Sequence, residues 1–184
     1  MSRKLWTGAG LALAVMIIAA AGLFFWHGQN EKHRLKASEM FSQYLEAPAD
    51  EKEKYLQELK RFADTPYYPR ALFLAAQQAT EQDKAEKLLK EARHASQDPY
   101  LYDAITLNLA ARMGPLKSKE ALSLLESGKT AAFKAFFLEL KGDILTHGKD
   151  FTGARKAYEA ALAERKFSNN YTFIVERKLA RVSP

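Results

Sequence analysis

Ala85, Leu89 and Ala92 recur 69 residues later as Ala154, Tyr158 and Ala161, with every spacing kept. Between the two sets stand Ala121, Leu125 and Gly128, displaced by 36 and then 33 residues. Three registers at a mean spacing near 34 residues define an internal repeat. A unit of that length cannot bury its own apolar face and must stack on its neighbours. The repeat therefore restricts the fold more than any other feature of this 184-residue chain.

The last copy is the clearest. Gly142 is followed twelve residues later by Ala154, then by Tyr158 four residues on and Ala161 three further. Gly142 and Ala154 lack bulk, which lets two helix backbones approach, and Tyr158 and Ala161 share the helix face of Ala154. This pattern resembles the tetratricopeptide repeat, a pair of antiparallel helices that meet at small residues. The copies are degenerate. Lys166 stands where a proline usually closes the repeat.

No glycine occurs between Gln29 and Met113, and Pro48, Pro66, Pro69, Pro99 and Pro115 each sit beside a break in apolar periodicity. That is the punctuation of helices entered through proline-containing turns. No alternating run is long enough for a strand, so the chain reads as all-α. One helix runs through Glu46, with Leu35, Phe41, Tyr44 and Leu45 on its apolar face. Asp50 caps a second helix to about Ala63, with Glu53 completing a capping box. Three pairs follow: Tyr67–Gln82 with Asp83–Ala95, Asp98–Met113 with Ser118–Ser127, and Phe133–His147 with Asp150–Arg165. Asn170–Arg181 closes the stack as a capping helix. It carries Tyr171, Ile174 and Val175 on its inner side and Glu176, Arg177, Lys178 and Arg181 on a polar outer side.

The other strong signal lies at the N-terminus. Leu5 to Trp26 is a run of 22 residues with no charged side chain. Trp6 and Trp26 bracket it, and twenty residues of helix span about 30 Å, the thickness of a bilayer's hydrocarbon core. Tryptophan favours the two membrane–water interfaces. The expected organisation is a cytoplasmic tail over 1–4, a transmembrane anchor over 5–26 and a TPR-like helical domain over 27–184. A signal peptide cleaved after Ala19-Ala20-Ala21 is the competing reading, but it would leave Gly22-Leu23-Phe24-Phe25-Trp26 as an exposed apolar end. Arg3 and Lys4 precede the span without an acid, whereas Glu31 and Glu39 dilute Lys32, Arg34 and Lys36 after it. That asymmetry places the tail in the cytoplasm and the domain across the membrane. Gly8, Gly10, Ala12 and Ala14 offer small residues at four-residue spacing, a frequent feature of spans with or without a partner helix.

Composition narrows the function. The chain has no cysteine, which excludes disulfides, thiol catalysis and thiolate metal sites. All 22 acids and 26 of the 28 Lys and Arg residues follow residue 30, a mild positive excess spread along the helices. A nucleic-acid binder would concentrate it. His27, His33, His94 and His147 fall at no metal-binding spacing and read as solvated. Gly142 to Lys149 fails as a phosphate loop, because Asp150 stands where Ser or Thr is required and no strand precedes it. No cofactor, metal or catalytic group is expected.

A binding surface is the better expectation. The first helices of the pairs open with aromatics: Tyr67 and Tyr68, Tyr100 and Tyr102, and Phe133, Phe136 and Phe137. Such side chains dominate interface hot spots, although at least half of these should be core. Arg70, Gln77, Asn108 and Lys141 are the polar candidates beside them.

An N-terminal span followed by three degenerate TPR-like pairs resembles the YfgM family, ancillary subunits of the bacterial Sec translocon. The likeness is sharpest at Leu140-Lys141-Gly142-Asp143 and at Gly153-Ala154-Arg155-Lys156-Ala157-Tyr158-Glu159-Ala160, and weaker at Tyr68-Pro69-Arg70-Ala71-Leu72-Phe73-Leu74-Ala75. The resemblance implies an adaptor in the inner membrane with a periplasmic domain. It implies association with translocon subunits and a PpiD-like membrane-anchored chaperone, a role in passing exported proteins to periplasmic chaperones, and no catalysis. A structural scaffold subunit of another envelope or secretion assembly is the alternative, since fold does not fix function.

Overall fold

The computed structural model describes residues 29–114, 116–164 and 169–182, and every regular element among them is helical. They form two compact units that divide between Thr65 and Pro66.

The N-terminal unit holds α1, over 29–46, and α2, Lys52–Leu59, which tightens into a 3₁₀ turn at Lys60–Phe62. Its buried side chains are Ala37, Tyr44, Leu56 and Leu59. The apolar face of α1 differs from expectation. Leu35 is 65% exposed and Leu45 49% exposed, because the covered line runs through Ala37, Phe41 and Tyr44 at helical spacing. His33 is not a solvated histidine either: its Nε2 lies 2.9 Å from Asp64 Oδ1 and its ring rests against Phe62. Asp50 does not cap α2. The Pro48 carbonyl accepts from the amides of Glu51 and Lys52, so Asp50 is consumed inside a turn. Glu51 occupies the cap without a side-chain bond, and the Glu53 carboxylate accepts from Gln57.

The C-terminal unit is a TPR-like α-solenoid. Its helices are α3 (Tyr67–Gln78), α4 (Gln82–Ala95), α5 (Pro99–Met113), α6 (Ser118–Leu125), α7 (Lys134–His147), α8 (Phe151–Glu164) and α9 (Asn169–Val182). The pairs α3/α4, α5/α6 and α7/α8 stack in chain order, and α9 packs on α8. Helix ends fall near the expected positions, with physical reasons for the shifts. Ala79 swings to extended backbone and stops α3 at Gln78. Asp98 caps α5 as its carboxylate accepts from the Tyr100 and Leu101 amides, with Pro99 at the first helical position. Ala131–Phe133 form a 3₁₀ turn, which delays α7 to Lys134. Lys149, between α7 and α8, has φ 63°, a left-handed backbone for a residue with a Cβ.

The core is built at the small residues. Ala71 and Ala76 of α3, Ala85 and Ala92 of α4, Ala121 of α6 and Ala154 and Ala161 of α8 are fully buried, interleaved with Leu72, Leu89, Ile105, Leu109 and Tyr158. The capping helix is phased differently from expectation. Val175 and Val182 are its buried residues, packed with Leu138, Leu145, Leu162 and Leu179, whereas Ile174 is 47% exposed. Lys178 is turned inward rather than toward solvent. The Tyr171 side chain lies outside the described residues, as does the expected span Leu5–Trp26 with Trp6 and Trp26. Among the described residues, no helix is long and apolar enough to cross a membrane.

Candidate protein-binding surface

The seams between helices decide which side chains are left to meet a partner. At the third pair the Tyr158 ring fills the space beside Gly142. Tyr158 Oη donates to Asp143 Oδ1 at 2.9 Å and lies 3.2 Å from Thr146 Oγ1. Burial, with the Asp143 carboxylate beside it, pushes the phenol up to about 12. Lys178 of α9 donates to Asp143 Oδ2 at 2.7 Å and to Glu139 Oε1 at 3.0 Å. Burial disfavours its charge, but the two carboxylates outweigh that and hold its pKa above the ordinary lysine range. One network thus fastens α7, α8 and α9.

A second network ties the first pair to the second. Glu86 accepts from Lys90 at 2.6 Å and from Lys117 at 2.9 and 3.0 Å. The bonds to Lys90 and Lys117 overcome burial and hold its carboxyl below the usual glutamate value. Arg93 donates to Thr106 Oγ1 and to Ser127 Oγ, the second bond reaching one repeat along the chain. Asp103 is wholly buried, and its oxygens accept from the Lys129 and Thr130 amides and from Thr130 Oγ1.

The expected aromatic candidates do not gather on one patch. Tyr68 is buried and donates to Glu91 Oε1 at 2.6 Å, with its pKa raised by burial and by that carboxylate. Phe137 is buried against Gly128. Tyr67, Tyr102 and Phe133 are half-buried, and Phe136 lies at the surface with its ring centroid 6.0 Å from that of Phe133. Tyr100, 58% exposed, stands farthest into solvent. Arg70 and Gln77 are exposed, Asn108 turns back to the Ala104 carbonyl, and Lys141 is half-buried. The residues assigned to repeat packing, Ala85, Leu89, Ala92, Ala121, Leu125, Gly142, Ala154, Tyr158 and Ala161, are all buried.

Residues 4–183 match the tetratricopeptide repeat-like domain over one continuous stretch. The chain belongs to that family. No curated protein and no solved structure matches it. A TPR-like domain is a protein–protein interaction module, so the surfaces between its repeats are where a partner is to be sought.

One such surface is a cleft of about 790 Å³ walled by α4, α5 and α6. Of the aromatic candidates only Tyr102 lines it, together with Lys90, Arg93, His94 and Lys129. Sequence reasoning passed over Arg93, Lys129 and Asp103. Asp103 had a readable signal: it falls in helical step with Thr106, Ala110 and Met113, the buried line of α5. Arg93 and Lys129 had one as well, since each directly follows the last small residue of its repeat, Ala92 or Gly128.

Proposed function

We propose that this chain is a membrane-anchored adaptor. In this reading Leu5–Trp26 holds it in the inner membrane with residues 1–4 in the cytoplasm, and the TPR-like domain lies in the periplasm and binds protein partners near the export channel. The partners are translocon subunits and a PpiD-like membrane-anchored chaperone, and the role is to pass exported proteins to periplasmic chaperones. The observation that carries the reading is the extent of the family match. It runs from residue 4 through the uncharged stretch and all three helix pairs to residue 183, so that stretch and the repeats fall within one family domain. The resemblance at Gly142-Asp143 and Gly153–Ala160 supplies the translocon.

The reading gives the chain no catalysis of its own. Its buried acids are engaged structurally, Glu86 by Lys90 and Lys117 and Asp103 by the 129–130 amides. Among the described residues no three His, Asp or Glu are gathered as a metal site. The test is to purify the full-length protein from gently solubilised native membranes and identify what accompanies it by mass spectrometry. Translocon subunits and an isomerase-class chaperone, lost when Leu5–Trp26 is replaced by an unrelated span, support the adaptor. A stoichiometric set of other envelope components would overturn it in favour of a scaffold.

A further inference from the structure

The cleft between α4, α5 and α6 carries an unusual charge arrangement. The Tyr102 ring has the Arg93 guanidinium 4.6 Å and the Lys129 ammonium 3.6 Å from its centroid. Arg93 is fixed in place by two hydroxyls, Thr106 at 3.0 Å and Ser127 at 2.8 Å, neither of which carries charge. The Lys129 backbone is pinned by Asp103 while its side chain lies across the ring. A ring face attracts a cation but cannot neutralise it. The third lining cation, Lys90, shares the single carboxylate of Glu86 with Lys117. The cleft's own lining acid is Glu120.

The placement of these cations is built into the repeat. Arg93 follows Ala92 and Lys129 follows Gly128, the same step in consecutive copies. In the third copy Leu162 follows Ala161, and that leucine packs into the apolar cluster with α9. The position is cationic at the seam that stays open and apolar where a helix covers it.

We infer that this cleft receives an acidic segment of a partner protein. Its carboxylates meet Arg93 and Lys129, whose charges among the described residues are otherwise met only by hydroxyls and a ring, and an apolar side chain lies against Leu124. Arg and Lys bind carboxylates through charge-assisted hydrogen bonds. A cleft of about 790 Å³ is ample for a few side chains. Single-stranded nucleic acid fits less well, because stacking needs a free ring face and both cations already lie over Tyr102. The inference rests on the reading of the chain as a protein-binding module and adds the partner's chemistry.

The test uses the full-length chain in detergent and a fluorescein-labelled short peptide of Asp and Glu around one Leu. Its Asn/Gln counterpart and a single-stranded RNA of equal charge serve as comparisons. Fluorescence anisotropy should show the acidic peptide binding, with affinity falling between about 50 and about 300 mM salt. Lys129→Glu should weaken it by about tenfold or more, and Arg93→Lys by less. Lys129 is exposed, so an unchanged melting temperature keeps the Lys129→Glu result on binding rather than folding. Equal binding by Lys129→Glu, equal binding of the Asn/Gln peptide, or tighter binding of the RNA would each overturn the inference. Partners still recovered from membranes in that case would leave the adaptor reading standing. Peptide binding intact with no partner recovered would remove the adaptor reading and keep the acidic-peptide cleft.

Discussion

The Tyr158 ring lies where a side chain at Gly142 would have to be, so any larger residue there forces the ring or the helix pair α7/α8 to shift. A methyl group would meet the ring below van der Waals distance. Gly142→Leu is expected to destabilise the protein by about 3 kcal/mol, and Gly142→Ala by about 1 kcal/mol despite alanine's better helix propensity. Urea unfolding followed by circular dichroism measures both. Pairing Gly142→Ala with Tyr158→Leu should restore part of the loss, and no recovery would mean that the ring is not the obstacle.

Removing only the Tyr158 hydroxyl isolates its hydrogen bonds. Tyr158→Phe should cost about 1 kcal/mol at neutral pH. It should also change the alkaline limb of the stability curve. A phenol raised from about 10 in the unfolded chain to about 12 in the folded one stabilises the fold fully below pH 10 and loses that contribution as pH rises toward 12. The wild type should therefore lose on the order of 2 kcal/mol more than Tyr158→Phe over that window. Lys178, with its pKa also raised, adds a slope of the same sign to both proteins. Identical alkaline limbs would contradict the assignment.

Asp103 holds the turn after α6 through three hydrogen bonds. Asp103→Ala leaves two backbone N–H groups and a hydroxyl without their acceptor and should cost about 3 kcal/mol. Asp103→Asn keeps one acceptor oxygen and should fall between. Amide hydrogen exchange at residues 129 and 130 should accelerate in the same order.

Lys178→Met removes the group bridging α9 to Glu139 and Asp143 among the bonds described above, and takes its positive charge away from both carboxylates. The expected loss is about 2 kcal/mol. It should be local, with faster amide exchange along α9 and unchanged protection in α3 and α4. Uniform loss across the unit would mean that α9 unfolds only with the whole stack.

Lys149 occupies the left-handed region with a side chain that disfavours it. Lys149→Gly should raise stability by up to about 1 kcal/mol, and Lys149→Val should lower it by more. Thermal melts of the two variants against the wild type decide this.

The repeat was readable because its spacing is a packing constraint. Ala85, Ala121 and Ala154 had to be small where backbones meet, and each is fully buried. Phase within single helices was less readable. On α1, Leu35 and Leu45 outweigh Ala37 in hydrophobicity, yet Ala37 is the covered residue and both leucines face outward. On α9 an inward Lys178 was hidden because its two carboxylate partners lie 35 and 39 residues earlier in the chain. The cap of α2 failed for a local reason. A proline carbonyl two residues before Asp50 was already organising the turn. The aromatic guess marked hydrophobic bulk at helix starts, and that bulk serves core packing at Tyr68 and Phe137 as readily as recognition elsewhere. What singles out Tyr102 is the pair of cations contributed by other elements, which no local pattern around residue 102 encodes.

Leu162 stands in the third copy where the first two copies carry Arg93 and Lys129. Because α9 leans on it, a copied helix pair inserted between α6 and α7 would bring a fresh cation and a fresh opening, whereas one spliced behind α8 would set a leucine against whatever followed. The array can thus be lengthened from within, multiplying its docking bays, but not from the face that α9 has sealed.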